Sequence, residues 1–196
     1  MKKLIVIGNG DQSRVFQSII LKQKKFKLSY ILTINNYKRS KDKILPNVEI
    51  LNNINKIKNI TSYYFICSIS NNFERKKFIE KFENKYKNLK WATIICSTAN
   101  VSKFSKIEKG SIIGENVYIG AETFIGKHCF INNNCKIEHH NIFEDYTSTG
   151  PNITTGGNVQ VSNFSYLGID STIIHNVKIK ANTVIGAKSL VLKNCK

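Results

Sequence analysis

The sequence has two prolines in 196 residues, and no apolar run in it approaches the roughly 18 residues that a membrane-spanning helix needs. With 41% apolar residues, the first shortage argues against a disordered chain, and the second against membrane insertion. None of the five cysteines (Cys67, Cys96, Cys129, Cys135 and Cys195) stands in a CxxC pair, and their number is odd. A disulfide framework and a zinc site are therefore not expected, and a reducing cytoplasm fits best. Acidic residues are few, 13 against 30 basic ones, for a net charge of +17. The lysines are scattered rather than gathered into one stripe, so nucleic acid is not expected as a partner. Such a basic surface suits attraction of an anionic small molecule. The opening MKKLIVIGNG carries two lysines and a short apolar run that stops at Gly8, too short for a secretory signal.

What the sequence does have is a repeat. Stepping by six from Val101 gives Ile107, Ile113, Ile119, Ile125, Ile131, Ile137, Phe143, Thr149, Thr155, Val161, Leu167, Ile173, Ile179, Ile185 and Val191, apolar at all but the two threonines. The next position is often glycine or acidic, and the fourth after each anchor is mostly small, as at Ser111, Thr123, Cys129, Cys135, Ser165 and Ser171. Helices and two-sided strands show periods of 3.6 and 2, so a period of six needs another geometry. Three hexads make one triangular turn of eighteen residues, and the stretch predicts about five stacked turns of a left-handed parallel β-helix. The two Thr anchors follow the polar stretch EHHNIFEDYTSTGPN, and a weakened core beside titratable groups is where a site is expected.

The first half reads as a small parallel α/β sheet, Rossmann-like in its alternation of strands and helices. Strands are expected at 3–8, 27–34, 61–70 and 89–97, and helices after Gly10 and over 71–86. The domain boundary is placed between 1–98 and 99–196. Gly8 and Gly10 sit between a strand and a helix, where backbone amides can cradle a phosphate or simply make a tight turn. Asp11 and Gln12 belong to the same loop. Ser70 and Asn71 follow the third expected strand at the same carboxyl edge of the sheet, so the two loops are expected to share one ligand.

Taken together, KLIVIGNGDQS, SNNFERKK, the hexads, and INNNCKIEHH followed by GGNVQV resemble the bacterial nucleotide-sugar acetyltransferases of the sialic acid O-acetyltransferase type. Within that family the similarity is strongest to the branch that N-acetylates UDP-amino sugars of the bacillosamine pathway. The resemblance implies an N-terminal nucleotide-sugar-binding domain, a β-helix that takes acetyl-CoA and needs no metal, a homotrimer, and a role in surface glycan or glycoprotein synthesis. It implies His139 as general base, with Glu138, Asn132 and His140 beside it, His140 standing where the family has an acid. It places Gly157, Ile169, His175, Gly186 and Ala187 at the cofactor, and Gly8, Gly10, Asp11, Gln12, Asn36, Ser70 and Asn71 at the nucleotide sugar.

The repeat arithmetic supports a site at His139 on its own terms. Eighteen residues on is Gly157, one coil above, and thirty-six on is His175. A glycine there permits close approach to the backbone and can present an N–H to a developing oxyanion. Imidazole, with an ordinary pKa near 6.5, can take the proton that an attacking amine or hydroxyl must lose. The expected reaction is acetyl transfer from acetyl-CoA to the amine of a nucleotide-linked amino-dideoxy sugar by direct attack. Two alternatives stay open: O-acetylation of a sugar or sialic acid hydroxyl, and a non-catalytic β-helix binding module. The zinc-binding carbonic anhydrases that share this coil show two histidines five residues apart, and His128, His139, His140 and His175 contain no such pair.

Overall fold

The structure is a computed structural model that describes residues 1–34 and 48–195. It divides into two compact units, Met1–Ala92 and Thr93–Lys196.

The first unit is a five-stranded parallel sheet in the order β3-β2-β1-β4-β5, formed by β1 (Lys2–Ile7), β2 (Phe26–Leu32), β3 (Glu49–Leu51), β4 (Tyr64–Cys67) and β5 (Lys90–Trp91). Leu4 to Ile7 are fully buried, as a central parallel strand covered on both faces requires. Helix α1 (Asp11–Lys22) buries Phe16, Ile19 and Ile20 at helical spacing. Helix α2 (Asn72–Lys85) starts at Asn71, whose side chain accepts from the amides of Phe73 and Glu74 at 3.0 Å each. The chain runs from β1 outward through β2 to β3 and then crosses back to β4. The carboxyl ends of β1 and β4 therefore flank the point where strand order reverses, the usual ligand crevice of an open α/β sheet.

The expected strand at 61–70 is shorter, Tyr64–Cys67, because a 3-10 turn (Ile60–Ser62) precedes it. Edge strand β3 is three residues long and carries no alternation that reveals it in the sequence. The strand expected at 89–97 is in fact two. Lys90–Trp91 joins the sheet, whereas β6 (Ile94–Ile95) pairs with Ile112–Ile113 as the first rung of the coil, so the second unit begins six residues before position 99.

That unit is a left-handed parallel β-helix of two-residue rungs in three sheets of six, five and six strands. Successive rungs of a sheet are eighteen residues apart, as Tyr118–Ile119 pairs with Lys136–Ile137 and that rung with Thr154–Thr155, with no slip of register between them. The anchors from Ile113 to Val191 line one continuous core. Both threonine anchors are buried as well: Thr149 Oγ1 accepts from the Asn132 amide at 2.9 Å, and between the two the corner position carries the large, fully buried Ile153. The small corner residues have a second task. Ser111, Thr123 and Ser165 each donate to a carbonyl fifteen residues on, at 2.6, 2.7 and 2.9 Å, meeting acceptors that the flat rungs leave unpaired.

Each corner is turned by one residue in the left-handed region. From Asn116 to Lys188 these recur every six positions with φ between 53° and 65°, and six of them are asparagine, the non-glycine residue that tolerates this region best. His140, at φ 57°, is one of the series.

Candidate active site

In the coil, His139 and Gly157 meet as the eighteen-residue period predicts. A Cβ on residue 157 would lie 2.4 Å from His139 Cε1 and 2.8 Å from its Nε2, so the imidazole occupies the space that only a glycine leaves. The backbone beneath is tied in both directions, with Asn158 N–H donating to the His139 carbonyl at 3.1 Å and Asn176 N–H to the Gly157 carbonyl at 3.0 Å. His175 stands one coil further on, its backbone against Gly156, and its side chain is exposed.

The side chain of His139 meets the neighbouring imidazole. His139 Nδ1 and His140 Nδ1 are 3.0 Å apart, and the two rings cross at 88°. His140 Nε2 in turn lies 3.2 Å from Glu122 Oε2, one coil below. Glu138 contributes through its carbonyl, which accepts from Thr123 Oγ1 at 2.7 Å and from Asn141 Nδ2 at 2.6 Å. Asn141 is a residue the repeat reading passed over. It is fully buried at a corner position, and its side chain also donates to the Gly156 carbonyl at 2.9 Å and accepts from Val159 N–H at 3.2 Å. Asn141 therefore pins the turn carrying Glu138 and His139 to the turn carrying Gly156 and Gly157. Its signal was an amide at a position otherwise held by small or aliphatic residues.

The remaining coil residues do not gather around His139. Asn132 uses its side-chain oxygen to accept from the Asn133 amide at 2.8 Å, at the corner after rung Phe130–Ile131. By the eighteen-residue register Ile169, Gly186 and Ala187 share that corner, whereas His139, Gly157 and His175 share the next one. The expected set is thus split between two corners of a triangular prism, because its members follow anchors in two different sheets.

In the first unit, Gly8, Gly10, Asp11, Gln12 and Ser70 line one cavity of about 240 Å³ with Asn9, Ile34, Ser68 and Ile69. Asn71 lines an adjoining one of about 380 Å³ together with Glu74, Lys77 and Lys81, and the two share Ile34, Ile69 and Ser70. The two glycines differ. Gly8 has φ 103°, and a Cβ there would stand 2.5 Å from Ser68 Oγ, so glycine is required; around Gly10 nothing lies within 4 Å. Ser13, at the third glycine position of a dinucleotide loop, is buried and donates to the Gly8 carbonyl at 2.8 Å. Asn9 was not foreseen. Its Nδ2 is buried without a hydrogen-bond partner among the described residues. Nor was Arg75, fully buried, whose guanidinium donates to the carbonyls of Ile69 and Ser70 at 2.8 and 3.0 Å and to Asn72 Oδ1 at 2.8 Å, fixing the loop that forms the cavity wall. Asn36 lies outside the described residues.

All five cysteines are free. Burial pushes the Cys67 thiol up to about 11 and raises that of Cys135, so neither is poised as a nucleophile. Among the described residues no cluster of three or more His, Cys, Asp or Glu side chains could hold a metal ion, and no helix is long and apolar enough to cross a membrane.

Residues 3–82 match the family model of the PglD N-terminal domain. That match falls within the first unit and covers less than half of the chain. No curated protein matches the chain significantly. Among solved structures, a mutant perosamine N-acetyltransferase from Caulobacter crescentus in complex with CoA and GDP-perosamine is 20% identical, with 98% of this chain and 89% of that one covered at a TM-score of 0.87. The acetyltransferase domain of PglB from Neisseria gonorrhoeae, in complex with acetyl coenzyme A, is 16% identical over 98% and 92% at 0.86. WeeI from Acinetobacter baumannii is 12% identical over 94% of each chain at 0.67. At these identities the likeness is one of fold, and it spans the first unit and the coil alike. With the PglD match it bears out the resemblance to nucleotide-sugar acetyltransferases drawn from the sequence motifs.

Proposed function

We propose that this chain transfers acetyl from acetyl-CoA to the amino group of a nucleotide-linked amino-dideoxy sugar, for example a 4-amino-4,6-dideoxyhexose. The observation that carries the reading is the imidazole of His139 seated over Gly157 in a coil joined to a unit that matches the PglD N-terminal domain. The relatives support the chemistry: one is named a perosamine N-acetyltransferase and is held with CoA and GDP-perosamine, another is held with acetyl coenzyme A.

In this mechanism the amine nitrogen attacks the thioester carbonyl carbon, and His139 Nε2 takes the proton the amine releases. Collapse of the tetrahedral intermediate breaks the C–S bond, and the same proton passes to the departing CoA sulfur. A positioned base of this kind contributes about 10²–10⁴-fold in rate. The Gly157 amide is the oxyanion donor. The raised thiols of Cys67 and Cys135 agree with direct attack rather than an acyl-enzyme. The sheet unit holds the nucleotide sugar, with the carboxyl-edge loops, Asn9, Lys77 and Lys81 around its anionic part.

The split of the coil residues between two corners supports a homotrimer, in which one corner of a subunit faces a different corner of its neighbour and acetyl-CoA lies between them. Exposed Val184, Leu190 and Leu192, 72%, 61% and 61% accessible in the single chain, are apolar surface for such contacts. The setting is the cytoplasm and the pathway one of surface glycan synthesis.

The test is release of free thiol from acetyl-CoA in the presence of UDP-, dTDP- and GDP-linked 4-amino-4,6-dideoxy sugars. One of them is expected to turn over, with a fall of about a hundredfold or more in His139→Ala. Binding of acetyl-CoA without turnover of any amino sugar would redirect the assignment to a hydroxyl acceptor, and failure to bind acetyl-CoA would leave a non-catalytic module.

A further inference from the structure

We infer that Glu122 fixes which nitrogen of His139 carries the proton, acting through His140. The inference rests on His139 as the base and supplies what the substitution of His140 at the acid's position takes away.

Hydrogen-bond polarity along the chain of three side chains fixes the tautomers. Glu122 Oε2, as part of a carboxylate, can only accept, so His140 Nε2 at 3.2 Å must donate. A neutral imidazole with its proton on Nε2 presents a lone pair at Nδ1. His139 Nδ1, 3.0 Å away, must then donate to it, and the lone pair of His139 is left on Nε2. Both ring nitrogens lie close to where a Cβ on residue 157 would stand, Nε2 at 2.8 Å and Nδ1 at 3.0 Å, and Nδ1 is the one turned to His140. Two imidazoles alone would not settle the matter, because the pair can equally hold its shared proton the other way, with His139 protonated on Nε2 and useless as a base. The carboxylate breaks the symmetry.

The backbone makes the arrangement a product of the coil. Residues 122 and 140 are eighteen apart and both turn a corner in the left-handed conformation, at φ 57° each, and His140 N–H donates to the Ala121 carbonyl at 2.9 Å. Glu122 is thus held one rung below His140 by the repeat itself. When His139 accepts the amine's proton at Nε2, both its nitrogens are protonated. The His140 lone pair then faces the new cation with the Glu122 carboxylate behind it, and no second proton needs to move.

The side chains of His140 and Glu122 are 49% and 67% accessible, so water competes for their contact and the effect is modest. Glu122 and His140 are positioning residues, and the expected loss in kcat for Glu122→Ala is about two- to tenfold with both KM values unchanged.

The deciding measurement is the ¹⁵N spectrum of the full-length chain labelled at histidine, which reads the ring tautomer without any turnover. In the unaltered protein at pH above the imidazole titration, His139 is expected to carry its proton on Nδ1. Glu122→Ala is expected to shift the population toward the Nε2-protonated form. In a His140→Asp background, where a carboxylate accepts from His139 directly, the Glu122→Ala change is expected to leave the tautomer where it was. An unchanged His139 tautomer in Glu122→Ala, or an equal shift in the His140→Asp background, overturns the inference. Absence of acetyl transfer in the wild-type protein would instead overturn the function while leaving this spectrum to decide the relay.

Discussion

The two units of this chain are stabilised by opposite means. In the coil every rung repeats the same contacts at eighteen-residue spacing, and one inward anchor per hexad builds a core that is linear. In the sheet unit each contact occurs once: Gly8 against Ser68, Ser13 on the Gly8 carbonyl, Arg75 on the Ile69–Ser70 loop. Repetition makes the coil tolerant and locally stable, with each turn answerable only to its neighbours. Singular contacts make the sheet unit shape a pocket, at the cost that losing any one of them distorts it.

The sharpest way to break that contrast is to remove one large core side chain from each unit. Phe143→Ala and Phe65→Ala delete fully buried rings and should each cost about 3–5 kcal/mol. Hydrogen exchange should then show lost protection confined to the coils around Phe143 but spread through the whole sheet around Phe65. Uniform loss in the coil would show it to be as cooperative as the sheet.

Next in size are the two glycines. Gly157→Ala places a methyl where the His139 ring lies, and a displacement of about 1 Å should lower kcat by about a hundredfold while Tm moves little, since Gly157 has no left-handed φ to strain. Gly8→Ala meets both a φ of 103° and Ser68 Oγ, and should destabilise the sheet unit by about 1–3 kcal/mol. One glycine therefore reports on catalysis and the other on folding, which thermal melts and turnover measured on both variants will separate.

The same contrast decides how much was legible in the sequence. From Val101 onward the coil was readable because period, anchor and corner each recur a dozen times, and even the His139–Gly157 contact followed from adding eighteen; its first rung, Ile94–Ile95, was not separable from the strand before it. Two things escaped. Asn141 departs from the corner pattern, and a departure signals only once the pattern's job of tying carbonyls is known. Glu122 touches His140 through the left-handed corner, and that ladder shows in sequence only as a recurrence of asparagine in an asparagine-rich chain. In the sheet unit, element types were legible but β3 was not, being too short for alternation to appear. Arg75 is one of three arginines against 27 lysines, and its planar guanidinium fork binds two carbonyls and an amide oxygen in a fixed geometry, yet nothing in the spacing says it is buried.

The proposed function is a division of labour, in which the sheet unit would select the nucleotide sugar and the coil would perform the transfer. It is tested most directly by kcat and KM for the nucleotide sugar, measured side by side in His139→Ala and Asn9→Ala. The account predicts a kcat loss of about a hundredfold or more with little change of KM in the first. In the second, whose Nδ2 has no hydrogen-bond partner among the described residues and lines the sheet-unit cavity, KM should rise about three- to tenfold with kcat retained. Loss of kcat in Asn9→Ala together with retained kcat in His139→Ala would contradict it.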